Sequence, residues 1–562
     1  MPEALRIRTI VALAAAFFSL ASSAHATPDS CKSLRHLVLP ATSIGLPTNG
    51  ATITSATHHH QGSSGFCKVL GRIHPIDPTA DDIRFELNLP EGPHGESIAW
   101  NNKALQYGGG TFDGYLAPAD GLGRTAVSIA SQPTPLARGY ATFGSDGGHH
   151  KNYFPLPDAI NALNAKFARN LEMQRNFAGD ALKKVHDTAV AIITQRYGHP
   201  PTRMYFIGGS TGGREALRVA QRFPADYDGV LAAYPAWDQI ELDLQFIRTA
   251  QALYAPGGFL GHAQTKLIQQ AVLNSCDAND GLRDGIVSDP ASCHVDPTIL
   301  RCKDGHSHHG CLSDAQLHTL ETFATPQHTA FTLEHNTDSI PGYNALSGAN
   351  LDTTTGLLHY PMRNPVFLFN SFGYVIGNDV LRNFLPVGHH YDARNFDTST
   401  AGPYRAELIR QAHEIDSTNS DLHAFTAHGG KLLLIHGATD TVIPTNSTID
   451  YYHRLQSTMG ADATATFARL YIIPGLGHGF GTFNAGFDTI GTLDAWADRN
   501  IAPTNLTITD NHNGRTRPLC DYPTYAHYNG TGDPNAASSF TCTNPTATPL
   551  QLAAQSSQLE AR

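Results

Sequence analysis

One stretch of the chain, residues 204–220, has the sequence MYFIGGSTGGREALRVA. Its first four residues are apolar and predict a buried strand, whereas the residues from Arg214 onwards predict a helix. The glycine-rich segment between them predicts a sharp turn, because glycine tolerates strained backbone angles. Ser210 would then lie exposed at a helix N-terminus, where N–H groups stabilise negative charge. The stretch predicts a serine nucleophile; an ordinary strand-to-helix turn is the alternative.

Two later segments complete a Ser–Asp–His order along the chain. Asp440 ends the loop after the apolar run Lys431–His436, and His478 follows the apolar run Leu470–Ile473 through a Pro-Gly pair. A histidine can take the proton of Ser210, and a carboxylate can hold the imidazole tautomer and stabilise the imidazolium. The order Ser, Asp, His is that of the α/β-hydrolase triad. The sequence therefore predicts a serine hydrolase.

The flanking residues alternate between strand and helix patterns. The clearest segments are Arg84–Leu89, Gly139–Phe143 and Arg203–Ile207 as strands, and Asn161–Phe177 and Ala181–Arg196 as helices. Such alternation implies a mostly parallel sheet with helices on both faces. We therefore predict an α/β fold, an α/β-hydrolase core that carries the triad on loops at one edge of the sheet.

The alternation is lost between Trp237 and Gly429, where Gly, Pro, Asn, His and four cysteines are concentrated. This change predicts a large insertion over the core, which we call the predicted lid. The predicted division is a signal peptide at 1–26, a first core part at 27–236, the lid at 237–429, a second core part at 430–545 and a disordered tail at 546–562.

The first residues predict export. Arg6 and Arg8 precede the apolar run Ile10–Leu20 and a small-x-small site at residues 24–26, which is typical of a secretory signal; a membrane anchor is the alternative. We expect a secreted or periplasmic protein without a membrane span. The net charge of −11 (38 Lys and Arg, 49 Asp and Glu) argues against a nucleic-acid partner. The sequence leaves the oligomeric state open.

Eight cysteines follow the signal segment, and an even number in an exported chain predicts disulfides. Pairing of sequence neighbours is favoured because each pair then brackets one local loop. A zinc cluster is the alternative, but no C-x-x-C spacing supports it. The predicted pairs are Cys31–Cys67, Cys276–Cys293, Cys302–Cys311 and Cys520–Cys542.

An oxyanion hole needs two backbone donors. The N–H group of Thr211 is predicted as one of them, because it follows the nucleophile in the turn. The run Tyr107–Thr111, YGGGT, follows a predicted strand and indicates a loop that supplies the second donor. Gly109 and Gly110 both remain candidates for this donor; a flexible turn without this role is the alternative.

Together these segments resemble the tannase and feruloyl esterase family over most of the chain. The resemblance implies an α/β-hydrolase core, a large lid and hydrolysis of small-molecule esters of aromatic acids, of the feruloyl or galloyl type. An enzyme that hydrolyses mono(2-hydroxyethyl) terephthalate is similar to this group, so a terephthalate half-ester is an alternative substrate. A non-catalytic secreted binding protein on the same fold is the alternative from another class. The matching runs are Gly108–Gly114, Gly208–Arg214, Tyr227–Val230, Pro235–Ala236, Asp421–Leu422, Gly429–Lys431, His436–Asp440 and Pro474–His478.

The resemblance has one departure. Members of the family usually carry a cysteine before the nucleophilic serine and another after the catalytic histidine, and a disulfide joins them. Gly209 and Gly479 occupy these two positions here. We therefore expect a variant that lacks this disulfide.

An acidic loop at residues 277–286, DANDGLRDGI, places three carboxylates within eight residues. Hard oxygen ligands of this kind suit Ca²⁺, although a solvated acidic turn is the alternative. The resemblance implies a structural Ca²⁺ in the lid. The implied ligands are the side chains of Asp277, Asp280 and Asp284 and the backbone carbonyl groups of Leu282 and Ile286.

The lid is also expected to supply an apolar pocket for the aromatic acid. Candidate lining residues are Trp237, Phe367, Phe369 and Phe372. Packing in the core is the alternative role for each of these side chains.

Overall fold

The structure of the chain is a computed structural model. It describes residues 31–61, 64–92, 99–117, 119, 127–150, 163–303, 310–348, 351 and 370–545. The predicted signal peptide, the predicted tail and the side chains of Phe367 and Phe369 lie outside these residues.

Strands are distributed over the whole described chain. They are β1 (Val38–Leu39), β2 (Ala51–Gln61), β3 (Ser64–Ile73), β4 (Ile83–Glu91), β5 (Lys103–Tyr107), β6 (Ala141–Ser145), β7 (Arg203–Gly209), β8 (Gly229–Ala233), β9 (Gln327–His328), β10 (Ser339–Ile340), β11 (Lys431–Gly437), β12 (Ala468–Ile473), β13 (Ala485–Gly486), β14 (Leu506–Asp510), β15 (Thr516–Leu519), β16 (Tyr525–Tyr528) and β17 (Phe540–Thr543).

Ten of these strands form one central sheet in the order β1-β2-β3-β4-β6-β5-β7-β8-β11-β12. In this spatial order, neighbouring strands are antiparallel in the part β1-β2-β3-β4-β6. They are parallel in the part β6-β5-β7-β8-β11-β12. The predicted α/β fold with a mostly parallel sheet is confirmed. Since β7, β8, β11 and β12 are parallel neighbours, the loops that follow them lie at one edge of the sheet.

The helices are α1 (Leu171–Arg175), α2 (Ala181–Tyr197), α3 (Thr211–Arg222), α4 (Gln239–Tyr254), α5 (His262–Cys276), α6 (Asp314–Ala324), α7 (Phe372–Phe384), α8 (Arg405–Ile415), α9 (His423–Ala427), α10 (Thr445–Met459), α11 (Ala461–Phe467) and α12 (Thr489–Arg499). Within the described ranges, no helix has both the length and the apolar character that a membrane crossing requires.

The apolar run of β11 shows why the sheet is covered on both sides. Leu432 and Leu434 belong to a core cluster that includes residues of α2, α3 and α10. Leu433 and Ile435 belong to a second cluster, with Leu493 and Trp496 of α12. Successive side chains of a strand point to opposite faces, so a continuous apolar run requires helices on both faces.

The predicted helix over Asn161–Phe177 is wrong in its described part. A 3-10 turn (Ala165–Arg169), the short α1 and a π turn (Asn176–Asp180) replace it. The side chain of Asn170 accepts the N–H group of Met173, so it starts a new helix inside the predicted one. Gly179 interrupts the following turn with φ of 136°.

Four disulfides cross-link the chain, with the predicted pairing of sequence neighbours, and no cysteine is free. The expectation of a variant with a missing disulfide is corrected to this extent: all eight cysteines are bridged, so no cysteine is left without its partner. Gly209 and Gly479 flank the candidate serine and histidine instead, and Gly479 uses its conformational freedom at φ of 86°.

The segment between β8 and β11 carries α4 to α9, and none of its described residues joins the central sheet. Two buried arginines of α3 bind the C-terminal part of this segment to the core. Arg214 donates to the carbonyl oxygen of Ile415 (3.0 Å), and Arg218 donates to that of Glu414 (2.9 Å). The N–H group of Ser417 also donates to the carbonyl oxygen of Trp237 (2.8 Å). Both ends of this segment therefore meet beside the helix that follows Ser210.

Candidate active site

Ser210 links β7 to α3 and has φ of 62° and ψ of −125°. A non-glycine residue costs about 1–3 kcal/mol in such a strained conformation, so the surrounding contacts must hold it. Its N–H group donates to the carbonyl oxygen of Ala233 (3.0 Å), and its carbonyl oxygen accepts the N–H groups of Gly213 and Ala236 (2.9 and 3.1 Å). The predicted strand–turn–helix around Ser210 is confirmed.

Gly212 explains why this turn needs small residues. A Cβ atom at this position would lie 2.7 Å from the carbonyl oxygen of Gly109, which is closer than carbon and oxygen can approach without a shift. The first turn of α3 and the loop at 108–110 are therefore packed backbone against backbone. Thr211 adds a hydrogen bond from its hydroxyl to the carbonyl oxygen of Thr111 (2.6 Å).

His478 and Asp440 form a direct pair, since Nδ1 of His478 lies 2.8 Å from Oδ2 of Asp440. Asp440 is fully buried, whereas the side chain of His478 keeps 17% of its surface exposed. Because Nδ1 faces a carboxylate, it carries the ring proton and leaves Nε2 free to act as a base. This is the tautomer that proton transfer from a serine requires.

The charge of Asp440 is fixed by its partners. Burial alone would raise the pKa of this carboxyl, but His478 and His436 outweigh burial and hold the pKa well below its ordinary value. Oδ1 also accepts the N–H groups of Val442 and Ile443 (2.7 and 3.0 Å). Asp440 is therefore an ionised carboxylate with hydrogen bonds on both oxygens.

Tyr234 is a site residue that no sequence motif predicted. It follows β8, has a strained φ of 35°, and its ring centroid lies 4.6 Å from that of His478. Its N–H group donates to the carbonyl oxygen of Ile435 (2.6 Å). The ring therefore limits the rotation of the imidazole. Only its position immediately after a strand of the sheet could have indicated this role.

The loop at 108–114 differs from its predicted role. The N–H group of Gly109 donates to Oε2 of Glu215 (2.9 Å), and that of Gly110 donates to Oδ1 of Asp113 (2.8 Å). Both groups are therefore occupied, which corrects the prediction that one of them is available as the second oxyanion donor. The reason is that two buried carboxyl groups, Asp113 of the loop itself and Glu215 of α3, accept these N–H groups.

Asp113 and Glu215 form a buried pair of carboxyl groups. Burial, followed by the charge of Glu215 and a hydrogen bond to it, raises the pKa of Asp113 well above its ordinary value. Burial also raises the pKa of Glu215, although the Arg214 guanidinium opposes this. Two carboxylates in contact cannot both be ionised, so the protonated Asp113 donates to Glu215.

The sequence of this chain is similar to those of known esterases. The family model described as tannase and feruloyl esterase matches residues 67–543. An uncharacterized esterase of Agrobacterium fabrum is 34% identical over 95% of this chain and 97% of its own. The chain belongs to the tannase and feruloyl esterase family. It is a carboxylic ester hydrolase.

Two further likenesses extend the comparison of this esterase. A mono(2-hydroxyethyl) terephthalate hydrolase of Piscinibacter sakaiensis is 30% identical, with 85% of each chain covered. The crystal structure of feruloyl esterase B from Aspergillus oryzae superposes with a TM-score of 0.72 at 21% identity, covering 89% of this chain and 98% of that one. At this low sequence identity, the structural likeness shows that the two proteins share a fold and nothing more.

Trp237 does not line a pocket in the esterase. Its side chain is only 1% exposed, its indole N–H donates to the carbonyl oxygen of Ser447 (3.0 Å), and its ring lies 5.2 Å from that of Tyr451. The prediction of a substrate contact is therefore wrong, because the indole fills the core between the sheet and α10. Phe372 packs edge-to-face on Phe246 at 5.5 Å between centroids.

The acidic loop of the esterase is folded on itself. Oδ1 of Asp277 accepts the N–H group of Gly285 (3.0 Å), and Oδ1 of Asp280 accepts that of Leu282 (3.0 Å). Oδ2 of Asp284 instead pairs with Arg517 of β15 (2.8 Å). Burial, with contributions from Asp284 and Asp277, raises the pKa of Asp280 to about 6.

The Ca²⁺ prediction can be compared with this donor set. Two of the three predicted carboxylates, Asp277 and Asp280, are buried and bond to no cationic side chain among the described residues, which fits a hard cation. Asp284 fits less well, since a guanidinium already binds one of its oxygens.

Proposed function

We propose that the esterase is a secreted serine hydrolase that cleaves esters of aromatic acids through an acyl-enzyme. The observation that carries the proposal is the 2.8 Å hydrogen bond between Nδ1 of His478 and Oδ2 of Asp440. It frees Nε2 as the base, at the sheet edge where the strained turn of Ser210 is also located.

The proposed reaction has two steps. Nε2 of His478 takes the proton of Ser210, and Oγ attacks the ester carbonyl carbon. The N–H group of Thr211 stabilises the oxyanion. His478 then protonates the departing alcohol, which leaves an ester between the acid and Ser210. A water molecule that is deprotonated by His478 attacks this ester, and His478 then returns the proton to Oγ of Ser210, which releases the acid and restores the serine hydroxyl.

The acyl group is proposed from the family, whose described members act on feruloyl and tannin-type esters. A terephthalate half-ester is the second candidate. The 30% identity to a mono(2-hydroxyethyl) terephthalate hydrolase over 85% of the chain favours it. Both candidates are esters of an aromatic carboxylic acid, so the same reaction applies to either.

The proposal is tested with Ser210→Ala on three substrates: methyl ferulate, methyl gallate and mono(2-hydroxyethyl) terephthalate. We expect the variant to lose at least about 10³-fold in kcat on the best substrate while the melting temperature changes little. Ser457→Ala, on the exposed face of α10, is the matched control. Full activity of Ser210→Ala would refute the proposed nucleophile, and inactivity of the wild type on all three would refute the substrate class.

We also propose that the acidic loop binds a structural Ca²⁺ through Asp277, Asp280 and Asp284 and the carbonyl groups of Leu282 and Ile286. The support is the pair of buried carboxylates Asp277 and Asp280 and the Cys276–Cys293 disulfide that anchors the loop. When bound, the ion would supply positive charge to the loop and take no part in ester cleavage.

Chelation tests this second proposal. We expect EDTA to lower the melting temperature, CaCl₂ to restore it and equal MgCl₂ to restore less, because Mg²⁺ demands a tighter geometry. Asp280→Asn should remove the response to calcium, whereas Asp296→Asn, on an exposed turn, should retain it. An unchanged melting temperature after chelation would exclude the site.

Secretion is proposed from residues 1–26 and is consistent with four formed disulfides. Expression with the native N-terminus, followed by N-terminal sequencing of the exported chain, should find a first residue near Thr27. Recovery of the full-length N-terminus in the cytosol would contradict export.

A further inference from the structure

A second imidazole lies against the triad carboxylate. His436 is the next-to-last residue of β11 and is fully buried. Its Nε2 atom lies 3.2 Å from Oδ2 of Asp440 and 3.2 Å from the carbonyl oxygen of Ile443. Its Nδ1 atom lies 2.7 Å from the hydroxyl of Thr448 in α10.

These partners fix the position of the ring proton of His436. Nε2 faces only acceptors, a carboxylate and a carbonyl group, so it must carry a hydrogen. The hydroxyl of Thr448 can donate to Nδ1 or accept from it, and so holds the other side of the ring. His436 thus turns an N–H group towards the carbonyl oxygen of Ile443 and Oδ2 of Asp440.

The donation changes what Asp440 can do. Oδ2 accepts the N–H group of His478 and has Nε2 of His436 3.2 Å away, while Oδ1 accepts two backbone N–H groups. Three N–H donors and the close imidazole of His436 together restrict rotation of the carboxylate. They also spread its negative charge, so that less of it is available to the hydrogen bond with His478.

We propose that His436 is a positioning residue for ester hydrolysis, which fixes the carboxylate of Asp440 and limits how strongly Asp440 stabilises the protonated His478. This inference rests on the proposed triad. His436 itself does not reach substrate, because its ring is enclosed by Asp440, Ile443 and Thr448.

Two tyrosines also face this group. The ring of Tyr234 lies 6.2 Å from that of His436, and Tyr343 donates its hydroxyl to the carbonyl oxygen of Val442 (3.2 Å). Burial, followed by the charge of Asp440, raises the pKa of both tyrosines far above neutrality. Both therefore stay uncharged at working pH, and the two histidines and Asp440 are the titratable groups that matter.

The test compares His436→Leu, His436→Gln and the wild type across pH, with 4-nitrophenyl acetate as substrate. We expect His436→Leu to lower kcat by about 10- to 100-fold with KM changed less than about twofold. The acid limb of the pH–rate profile should move to higher pH, because a carboxylate with fewer donors stabilises the protonated base more. His436→Gln retains an N–H donor and should recover part of kcat and return the limb towards the wild-type position.

A structural role alone would lower the melting temperature and the activity together and leave the acid limb in place; that result would overturn the inference. Should His436→Leu not fold, Thr448→Val removes the partner of Nδ1 and should move the limb in the same direction by less. An unmoved limb in a folded Thr448→Val would likewise overturn it. Ser210→Ala and His478→Ala separate the two proposals. Full activity of these two variants would refute the triad. If they are inactive but the acid limb of His436→Leu is unmoved, only the role of His436 is refuted.

Discussion

Two buried carboxyl groups in this active site have opposite charge states. Asp440 and Asp113 are both buried, and for both groups desolvation alone would raise the pKa. The neighbours of Asp440 are imidazole and backbone N–H groups, which keep it ionised. Burial, reinforced by the neighbouring carboxyl group of Glu215, keeps Asp113 protonated. Burial favours the protonated form of both carboxyl groups, and the partners decide whether that preference prevails.

The largest expected effect breaks the ionised side of this comparison. Asp440→Asn replaces an acceptor with an amide group that can present a donor to Nδ1 of His478, and so favours the wrong imidazole tautomer. We expect kcat to fall by about 10³- to 10⁴-fold, with a small change in melting temperature. Asp450→Asn in α10 is the control. A loss below tenfold would show that Asp440 does not hold the base.

The same substitution on the protonated side should have little effect. In Asp113→Asn the amide oxygen can accept the N–H group of Gly110 and the NH₂ group can replace the proton donated to Glu215, so we expect a stability loss below about 1 kcal/mol. Asp113→Ala leaves both partners unpaired and should cost about 2–3 kcal/mol. Denaturant titration measures both variants. Equal losses would contradict a protonated Asp113.

The smallest expected effect extends the comparison to pH. Burial, despite a hydrogen bond from Gln239, raises the pKa of Asp243 in α4 to about 8, against about 3.9 in an unfolded chain. Between these values the folded state binds more protons than the unfolded state, so this group's contribution to stability falls as pH rises from about 4 to 8.

We expect Asp243→Asn to flatten the decline of melting temperature over this window by about 2–4 °C. Asp397→Asn, on an exposed turn, should leave the decline unchanged, since side-chain and backbone hydrogen bonds from Thr400 lower the pKa of Asp397 to about 2. Thermal melts of both variants at pH 5 and pH 8 make the comparison. An Asp243→Asn curve that is parallel to the wild type would show that Asp243 is ionised in the folded protein.

The sequence by itself determined the features that depend on neighbours along the chain. The turn at Ser210, the buried strands β7, β11 and β12, and the four disulfides follow from local patterns. Glycine spacing, apolar runs and short cysteine separations act through the backbone of one segment. The location of the three triad segments at one edge of the sheet could also be predicted, because parallel strands present the loops that follow them at the same edge.

Only the tertiary structure decided which side chains meet across segments. Glu215 of α3 occupies the N–H group of Gly109, Trp237 fills the core, and His436 and Tyr234 surround the pair of Asp440 and His478. Each outcome depends on how separate elements pack and on the hydrogen bonds that burial then demands. No local pattern encodes these contacts, because each side chain obtains its partner only when distant backbone segments come together.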